Sequence, residues 1–417
     1  MRNKKMMSAL VAAIMLISNG ACYVKAEEKP VVKLGANFVM SGGGSAASLD
    51  WAKPAVEKAV EEFNAGEHAF TLELVTRDCQ NDSSLVGEKN TELLHEGVVA
   101  IIGPNSANHG IASLEWASQN EVPVIATTYS PSTEQLGAGG KYGFSVGLCS
   151  VNFGRLYALT FMEKDYHSFY MFGTDGSDAI EFFNSFIETL DEKGYSYENL
   201  GESWFATTET DFTNIISAAV AADPDCILNL CGGPTGVGAL QTGSMYGLLD
   251  YPILASVGIG TDLTMTFGSE FPQGMMTVDL APWYLDTEEN AAFSQYSQEY
   301  FERTDGIYPA MFTIGWMLAA ETMIDAIEIA YNPDTQTASS DDIVKALETG
   351  TFETPIGNLT FMPEEAGHLN NLAKVYMVES AYDEEKWPYA YGEIVTSYTS
   401  EDLVSQEELT EILANMK

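Results

Sequence analysis

Short apolar runs rich in β-branched residues alternate with amphipathic segments along most of this chain, and the clearest example is the stretch 99–131. Val99–Ile102 is a strand-like run ended by a Gly-Pro pair, and Val122–Ile125 is a second such run. The segment between them has apolar residues at helical spacing and is long enough for a crossover helix. The pattern therefore predicts two parallel strands whose carboxyl ends are adjacent.

Polar residues follow both of these strands. Asn105 and Ser106 come after the first strand, and Thr127, Thr128 and Tyr129 come after the second. Ligands of open α/β sheets bind in the crevice beyond the carboxyl ends of the strands. The sequence therefore predicts that the hydroxyls and backbone N–H groups of these five residues point into one crevice.

The same alternation begins near the amino terminus and repeats after residue 150. Regular alternation of strands and helices predicts parallel sheets covered by helices on both faces, so we expect two α/β units of similar plan. The predicted strands lie at 31–39, 70–76, 99–102, 122–125, 168–172, 197–205, 226–231, 253–257 and 276–280. A surface helix at 287–304, a long apolar helix at 309–330, a helix at 341–349, strands at 352–361 and 372–379 and a polar carboxyl-terminal region follow.

The charge of the chain excludes two classes of partner. The 417 residues include 60 Asp and Glu against 19 Lys and Arg, for a net charge of −41. Nucleic acid and an anionic membrane surface would both be repelled, so we expect neither as a direct partner. The acidic residues are spread along the chain and do not form a tail, which is typical of a solvated acidic surface.

Residues 1–26 have the pattern of a secretory signal, with positive charges at Arg2, Lys4 and Lys5 before an apolar run. Cleavage after Ala26 is the favoured prediction, and lipidation of Cys22 is the alternative, since Gly-Ala-Cys is similar to the end of a lipoprotein box. No later segment has the roughly 18 consecutive apolar residues of a membrane span. We therefore expect the mature protein outside the cytoplasm, free or tethered at the cell surface.

The sequence predicts neither a metal site nor a cofactor. The five histidines are scattered, no Cys-x-x-Cys pair is present, and Cys226 and Cys231 have spacing that places them on opposite faces of one strand. Gly42–Gly44 matches neither the phosphate-binding loop nor the dinucleotide fingerprint, and it is interpreted as a tight turn near a ligand.

A hydrolase is the competing class of function. Gly143–Gly147 matches the Gly-x-Ser-x-Gly motif, with Ser145 in the position of the nucleophile. That motif requires a sharp turn from strand to helix at the serine, whereas this segment has the pattern of a continuous strand. We therefore predict a protein that is not an enzyme.

Five segments resemble those of one protein family, in the family's order. They are Ala55–Asn64 (AVEKAVEEFN), Val99–Pro104 (VAIIGP), Pro123–Pro131 (PVIATTYSP), Asp211–Gly233 (DFTNIISAAVAADPDCILNLCGG) and Phe352–Pro363 (FETPIGNLTFMP). The family is that of the extracytoplasmic solute-binding proteins of ABC transporters related to the branched-chain amino acid receptors.

The resemblance implies the type I periplasmic-binding-protein fold, in which two Rossmann-like lobes with parallel sheets are joined by three hinge crossings and close like a flytrap. The crossings are expected near Leu148, Leu280 and Leu359. Lobe one would then comprise 31–148 and 281–358, and lobe two 149–280 and 359–417.

The resemblance also implies a function. A monomer without a cofactor would capture a small polar solute, an amino acid or an amide-like compound, and deliver it to the membrane permease of an ABC transporter. A sensor that docks a signalling receptor uses the same hinged lobes, so it stays open as an alternative.

In the amino acid receptors of this family, a Ser or Thr after Gly-Pro and a hydroxyl before Ser-Pro hold the ligand carboxylate. The first position is Ala107 here, with Ser106 beside it, and the second falls on Thr127, Thr128 and Tyr129. The resemblance thus implies a polar, hydroxyl-lined site for an anion or an amide in lobe one.

Lobe two departs from the family pattern. Asp175 stands where an aromatic residue is usual, and Val257 stands where an acid usually holds the ligand ammonium; Gly233 completes the candidate ligand-binding set. A buried ammonium without its carboxylate is costly, so two arrangements remain. Either Asp175 replaces the missing acid, or the ligand has no ammonium and Asp175 accepts hydrogen bonds from an amide, a urea or a hydroxyl. Asp175 as a simple helix cap is the structural alternative.

Overall fold

The computed structural model describes residues 29–42, 47–206, 208–256, 263, 266–267, 270, 272–281, 290–309, 311–371, 374–382 and 391–416. The predicted signal segment 1–26 with Cys22, and the predicted site residue Val257, lie outside these ranges. In the described part of the chain, no helix has both the length and the apolar character that crossing a bilayer requires.

The amino-terminal alternation forms a parallel sheet, as the sequence predicts. Four of its five strands are buried almost throughout, which is typical of a sheet covered on both faces, whereas the edge strand Thr71–Asp78 is mostly half-buried. In spatial order they are β2 (Thr71–Asp78), β1 (Val31–Phe38), β3 (Val98–Ile102), β4 (Val124–Ala126) and β5 (Gly143–Ser145).

The second alternation forms a mixed sheet. Strands β6 to β10 pair in parallel, whereas β16 pairs antiparallel with β10 and β17 pairs antiparallel with β16. In spatial order the strands are β17 (Tyr391–Tyr398), β16 (Val375–Ala381), β10 (Met276–Asp279), β9 (Ile253–Ala255), β8 (Cys226–Leu230), β6 (Ser168–Thr174) and β7 (Glu198–Phe205). The α/β prediction with two parallel-sheet units is confirmed, and the antiparallel β17 in the polar carboxyl-terminal region was missed.

Helices connect these strands and cover the sheets. They are α1 (Lys53–Ala65), α2 (Ser83–His95), α3 (Ala107–Asn120), α4 (Thr133–Ala138), α5 (Ser150–Glu163), α6 (Ser177–Glu192), α7 (Thr213–Ala222), α8 (Gly233–Tyr246), α9 (Ala291–Arg303), α10 (Met311–Ala330), α11 (Ser340–Thr349), α12 (Ser400–Leu403) and α13 (Gln406–Met416). A π-helical turn at Ala47–Ala52 precedes α1. The remaining strands are the short β11 (Tyr331–Asn332), β12 (Thr337–Ala338), β13 (Phe352–Thr354), β14 (Gly357–Phe361) and β15 (Asn370–Asn371).

Helix α6 shows how the apolar spacing selects the buried face. Phe182, Phe183 and Phe186 are buried, whereas Ile180 is 41% exposed. Helix α5 packs very closely against α6, because a Cβ at Gly154 would lie 2.3 Å from the carbonyl oxygen of Phe182.

The first connection between the two sheets follows β5. Asn370 forms two hydrogen bonds to this connection. Its side chain accepts a hydrogen bond from the Gly147 N–H at 2.8 Å and donates one to the Gly147 carbonyl at 2.9 Å. Leu148 lies in this connection and donates its N–H to the carbonyl of Tyr129.

Leu359, near which the third crossing is predicted, lies in a region of short paired strands. Leu359 lies in β14, which forms a hairpin with β13, and β14 also pairs with β15. Leu369 is bridged to Ser145 of the first sheet. The chain enters the second sheet at β16, after β14 and β15 have paired with each other.

The carboxyl-terminal helix α13 closes over the first connection. Leu409 and Leu413 are buried with Leu136 and Met362 in a small separate core. Arg155 of α5 donates to the Leu403 carbonyl at 2.7 Å and forms a two-pronged ion pair with Glu408. The predicted polar carboxyl-terminal region is therefore an integral part of the packing.

A half-buried acid on α10 predicts a pH-dependent stability. Glu321 lies near Lys58, and burial raises the pKa of its carboxyl to about 8. Between its ordinary value of 4.5 and 8, the folded protein binds a proton that the unfolded chain releases, so the free energy of unfolding falls as the pH rises. Glu321→Gln should raise the free energy of unfolding by about 2 kcal/mol at pH 8.5 and change it little at pH 4.5.

Urea denaturation of both proteins at these two pH values checks the prediction, with the exposed Glu115→Gln as the matched control. If the free energy of unfolding of the Glu321→Gln variant depends on pH in the same way as that of the unmodified protein, the prediction is contradicted.

Candidate functional site

The carboxyl end of β3 is a sharp turn that only glycine can make. Gly103 has φ +86°, and a Cβ there would lie 2.3 Å from the indole of Trp316 on α10. This turn brings Asn105 and Ser106 to the edge of the first sheet, and α3 begins immediately afterwards at Ala107, which is buried.

The turn after β4 is joined to the turn after β3 by two hydrogen bonds. The N–H of Thr127 donates to the carbonyl of Pro104 at 3.2 Å, and the hydroxyl of Thr128 donates to the carbonyl of Ser106 at 3.3 Å. The predicted adjacency of these two turns is therefore present in the fold.

Three polar atoms of these two turns are buried without a hydrogen-bond partner among the described residues. They are the Thr127 hydroxyl oxygen, the Asn105 side-chain oxygen and the Tyr129 phenol oxygen. Thr127 is only 2% exposed, so its hydroxyl is largely withheld from bulk water. Unpartnered buried polar atoms are rare in folded proteins, so these atoms are candidates for hydrogen bonds to a solute.

Thr128 and Tyr129 make other contacts than the sequence predicts. Thr128 packs its hydroxyl against Gly110 of α3, besides donating it to Ser106. The ring of Tyr129 packs on Phe153 of α5 at 5.5 Å, and burial together with the nearby Asp279 carboxylate raises the pKa of its phenol well above the ordinary value. Tyr129 thus fills the space beside the connections between the sheets.

Ser106 precedes α3 as its N-cap residue but does not cap the helix with its side chain. Its hydroxyl is hydrogen-bonded to Nδ1 of His109 instead. The first N–H groups of a helix have no partner within the helix, and the helix dipole favours a negative group there. The start of α3 therefore offers N–H donors next to Thr127.

On the second sheet, Asp175 and Gly233 follow the carboxyl ends of β6 and β8. Asp175 is exposed, and its N–H donates to the carbonyl of Phe205. Gly176 is the N-cap of α6, so interpreting Asp175 as that helix cap was wrong. Gly233 is the first residue of α8, directly after its N-cap Gly232.

Asn229 is a candidate that the sequence analysis missed. It is completely buried in β8, its side-chain oxygen accepts from the Cys231 N–H at 3.1 Å, and its Nδ2 has no partner among the described residues. The available signal was a lone amide side chain in the otherwise apolar run 226–231. Asn229 supplies a hydrogen-bond donor at the carboxyl end of the second sheet.

The two carboxyl edges contact each other through their loops. Ser130, after β4, lies 3.5 Å from the Asp178 carboxylate in the first turn of α6, and the hydroxyls of Ser132 and Ser177 are 3.3 Å apart. These contacts place the turns of the first sheet opposite the start of α6 and close to Asp175.

A second acid of α6 strengthens this contact. The N–H of Thr133 donates to both carboxylate oxygens of Glu181, at 3.0 and 3.2 Å. Burial raises the pKa of the Glu181 carboxyl to about 7 and that of Asp178 above its ordinary value, while the hydrogen bonds from Thr133 oppose the shift of Glu181. Two carboxyl groups of α6 therefore contact the loop that follows β4.

The surroundings of Ser145 and of the cysteines are as follows. Ser145 is completely buried at the end of β5, where its hydroxyl accepts from Gln135 at 3.2 Å, and α5 begins only at Ser150. Within the described ranges, no three His, Cys, Asp or Glu side chains are grouped as a metal site, and Cys79, Cys149, Cys226 and Cys231 are buried free thiols.

A further surface pocket lies away from the two sheet edges. It has a volume of about 340 Å³ and lies between α6 and β7, where Phe183, Ile187 and Tyr197 line it. Its position on the outer side of α6 separates it from the turns described above.

The sequence profile of the periplasmic binding protein family matches residues 31–383, so this chain belongs to that family. No curated protein matches the sequence. Together with the two-sheet topology, the match defines a type I periplasmic-binding-protein fold.

Solved structures support the same fold at low sequence identity. A solute-binding protein of an ABC transporter from Rhodopseudomonas palustris HaA2, in complex with p-hydroxybenzoic acid, has a TM-score of 0.76 and 17% identity, covering 89% of this chain and 97% of that chain. A leucine-binding protein, LivK, from Thermotoga maritima MSB8 has a TM-score of 0.71 and 19% identity, covering 89% and 99%. An ABC transporter substrate-binding protein from Sphaerobacter thermophilus has a TM-score of 0.74 and 17% identity, covering 90% and 100%.

Proposed function

We propose that this protein is an extracytoplasmic receptor that closes on one amino acid or amide-like solute and delivers it to the membrane permease of an ABC transporter. The observation that carries the proposal is the set of unpartnered buried polar atoms at the carboxyl ends of both sheets, on Asn105, Thr127 and Asn229. Polar groups buried without partners cost stability, and a solute that pairs them recovers that cost on binding.

The polarity of the two sides supports a solute with an acceptor end and a donor end. The first turn of α3 offers N–H groups and the positive end of a helix dipole. The opposite side carries Asp175, with Asp178 and Glu181 nearby. An amino acid or an amide fits this arrangement, and the leucine-binding and p-hydroxybenzoate-bound structures of the same fold supply the starting compounds for a screen.

We place the two lobes on the two sheets with their helices. The five strands of the first sheet all fall within 31–145, and β6 to β10 fall within 168–279, which supports the predicted assignment of these segments. The pairing of β15 with β14 favours a third crossing after Asn371 over one near Leu359. Closure of one lobe on the other would then occur where Ser130 contacts Asp178.

A thermal-shift screen tests the proposal. The panel contains L-leucine and 4-methylpentanoate, which differ by the ammonium group, and 4-hydroxybenzoate and 4-hydroxybenzamide, which differ by a carboxylate against an amide. At least one compound should raise the unfolding temperature saturably, since a ligand at 100 times its Kd adds about 2.7 kcal/mol to stability. A folded protein that none of the four compounds stabilises would count against an amino acid or amide receptor.

The role of Asp175 is tested by Asp175→Asn. If its carboxylate holds the ammonium of a zwitterion, the variant should bind L-leucine at least about tenfold more weakly and 4-hydroxybenzamide less than twofold more weakly, because a charge-assisted hydrogen bond is worth about 1.5 to 3 kcal/mol. Calorimetric titration measures both affinities, and Asp334→Asn in the exposed turn between β11 and β12 is the control. Equal affinities for L-leucine before and after the change would refute this role.

A further inference from the structure

The Ser106 side chain is oriented by a buried histidine. Its hydroxyl is hydrogen-bonded to Nδ1 of His109, one turn further along α3, and His109 is only 5% exposed. The usual position for this hydroxyl would be a helix cap, bonded to a backbone N–H of the first turn. Ser106 makes no such bond, so its orientation depends on the ring.

The other side of the ring determines which nitrogen of His109 carries the proton. The backbone of Asn81 is hydrogen-bonded to the ring, in a loop where Asn81 has φ +57° and the following Asp82 caps α2 through Ser84. A backbone carbonyl only accepts hydrogen bonds, so the nitrogen that faces it carries the hydrogen. Since Nδ1 is bonded to Ser106, we assign this hydrogen to Nε2.

Burial also favours the neutral ring. It lowers the pKa of His109, which the Asn81 carbonyl and the Asp82 carboxylate partly oppose. In neutral imidazole with Nε2 protonated, Nδ1 is a hydrogen-bond acceptor. The Ser106 hydroxyl must then donate its hydrogen to His109.

We propose that the Ser106–His109 pair fixes Ser106 as a hydrogen-bond acceptor toward the bound solute, and so selects a solute with an N–H or O–H donor at this point. The inference rests on the proposed function, and it narrows the solute class. The first-turn N–H groups of α3 donate hydrogen bonds to the acceptor oxygen of the solute. The Ser106 hydroxyl oxygen accepts a hydrogen bond from an N–H or O–H group at the same end of the solute. Amides and α-amino acids supply both groups, whereas a bare carboxylate supplies only acceptors.

His109 is a positioning residue, because it acts through Ser106. It also ties the start of α3 to the loop 79–82, which lies beside the turn after β1: a Cβ at Gly42 would be 2.7 Å from the carbonyl of Gln80. Asp78 anchors that turn by accepting from the Met40 N–H at 2.8 Å. The orientation of Ser106 is therefore built into the packing of the first sheet.

The first test needs no solute. Long-range proton–nitrogen correlation spectra of the histidine rings, recorded on the full chain at pH 7 and assigned with His109→Gln, report which ring nitrogen is protonated. We expect a neutral His109 with the hydrogen on Nε2, and a change in the Nδ1 resonance on Ser106→Ala. A hydrogen on Nδ1, or a doubly protonated ring, would overturn the proposal.

The second test measures selectivity by calorimetric titration of 4-hydroxybenzamide and 4-hydroxybenzoate. Ser106→Ala should reduce the affinity for the amide at least about fivefold and the affinity for the acid less than twofold. His109→Asn keeps an acceptor near the position of Nδ1, so this variant should retain most of the preference for the amide. Ser118→Ala, on the exposed side of α3, is the control.

If Ser106→Ala leaves the ratio of the affinities for 4-hydroxybenzamide and 4-hydroxybenzoate unchanged, the proposed selectivity is refuted. The two tests separate the possible failures. Lack of binding by all four compounds of the thermal-shift panel counts against the proposed function, whereas the ring tautomer in the solute-free protein decides the Ser106–His109 pair by itself.

Discussion

Thr127→Val should weaken solute binding at least about tenfold while leaving the solute-free protein as stable as before or about 1 kcal/mol more stable. Valine has the shape of threonine, and the Thr127 hydroxyl is buried without a partner among the described residues. Removing an unsatisfied buried hydroxyl relieves its desolvation cost, which favours the free protein. The hydrogen bond that the hydroxyl makes to the solute is lost, and a loss of about 1.4 kcal/mol corresponds to tenfold in Kd.

The matched control is Thr322→Val. Thr322 is also completely buried with an unpartnered hydroxyl, but it lies in the middle of α10. Thr322→Val should leave the free energy of unfolding unchanged or raise it as Thr127→Val does. It should leave the affinity for the solute unchanged. Urea denaturation and calorimetric titration with the solute from the screen measure the two quantities. Loss of stability without loss of affinity in Thr127→Val would show that Thr127 is only a packing residue.

Gly147→Ala should lower the free energy of unfolding by about 3 kcal/mol or more. Gly147 lies in the first connection between the sheets at φ +107°, a conformation that side chains rarely adopt, and a Cβ there would be 2.3 Å from the Tyr129 carbonyl oxygen. The two hydrogen bonds from Asn370 prevent the backbone from moving away. The cost of the unfavourable backbone conformation and the cost of the steric overlap with Tyr129 therefore add at Gly147.

Gly137→Ala is the control for this substitution. Gly137 lies in α4, and a Cβ there would meet no atom within 4 Å, so alanine should be neutral or slightly stabilising. Chemical denaturation of both variants measures the difference. A Gly147→Ala protein as stable as the unmodified one would contradict the tight packing of the first connection against Tyr129.

Most of the fold was predictable because burial on both faces gives parallel strands continuous apolar runs. The runs at 99–102 and 253–255 are recognisable by their composition alone, and they lie in central strands. The last connection was not predictable to the same degree. Residues 352–361 form a hairpin whose partner β15 lies nine residues further along, and no local pattern specifies that pairing.

The candidate site was predictable in its location but not in the direction of its side chains. The two turns after β3 and β4 follow from the order of strands and helices. Whether Thr127 or Thr128 faces inward depends on strand register, and the direction of the Ser106 hydroxyl depends on a ring three residues away. Asn229 was missed because a single amide in an apolar strand has no periodic signal.

The central claim is that a solute binds between the turns after β3 and β4 and the opposing edge of the second sheet. Hydrogen–deuterium exchange with and without the compound that gives the largest thermal shift tests this claim most directly. We expect saturable protection of the first-turn amides of α3 at residues 107–109 and of residues 128–130. Protection confined to the pocket between α6 and β7, with no change at α3, would contradict the claim.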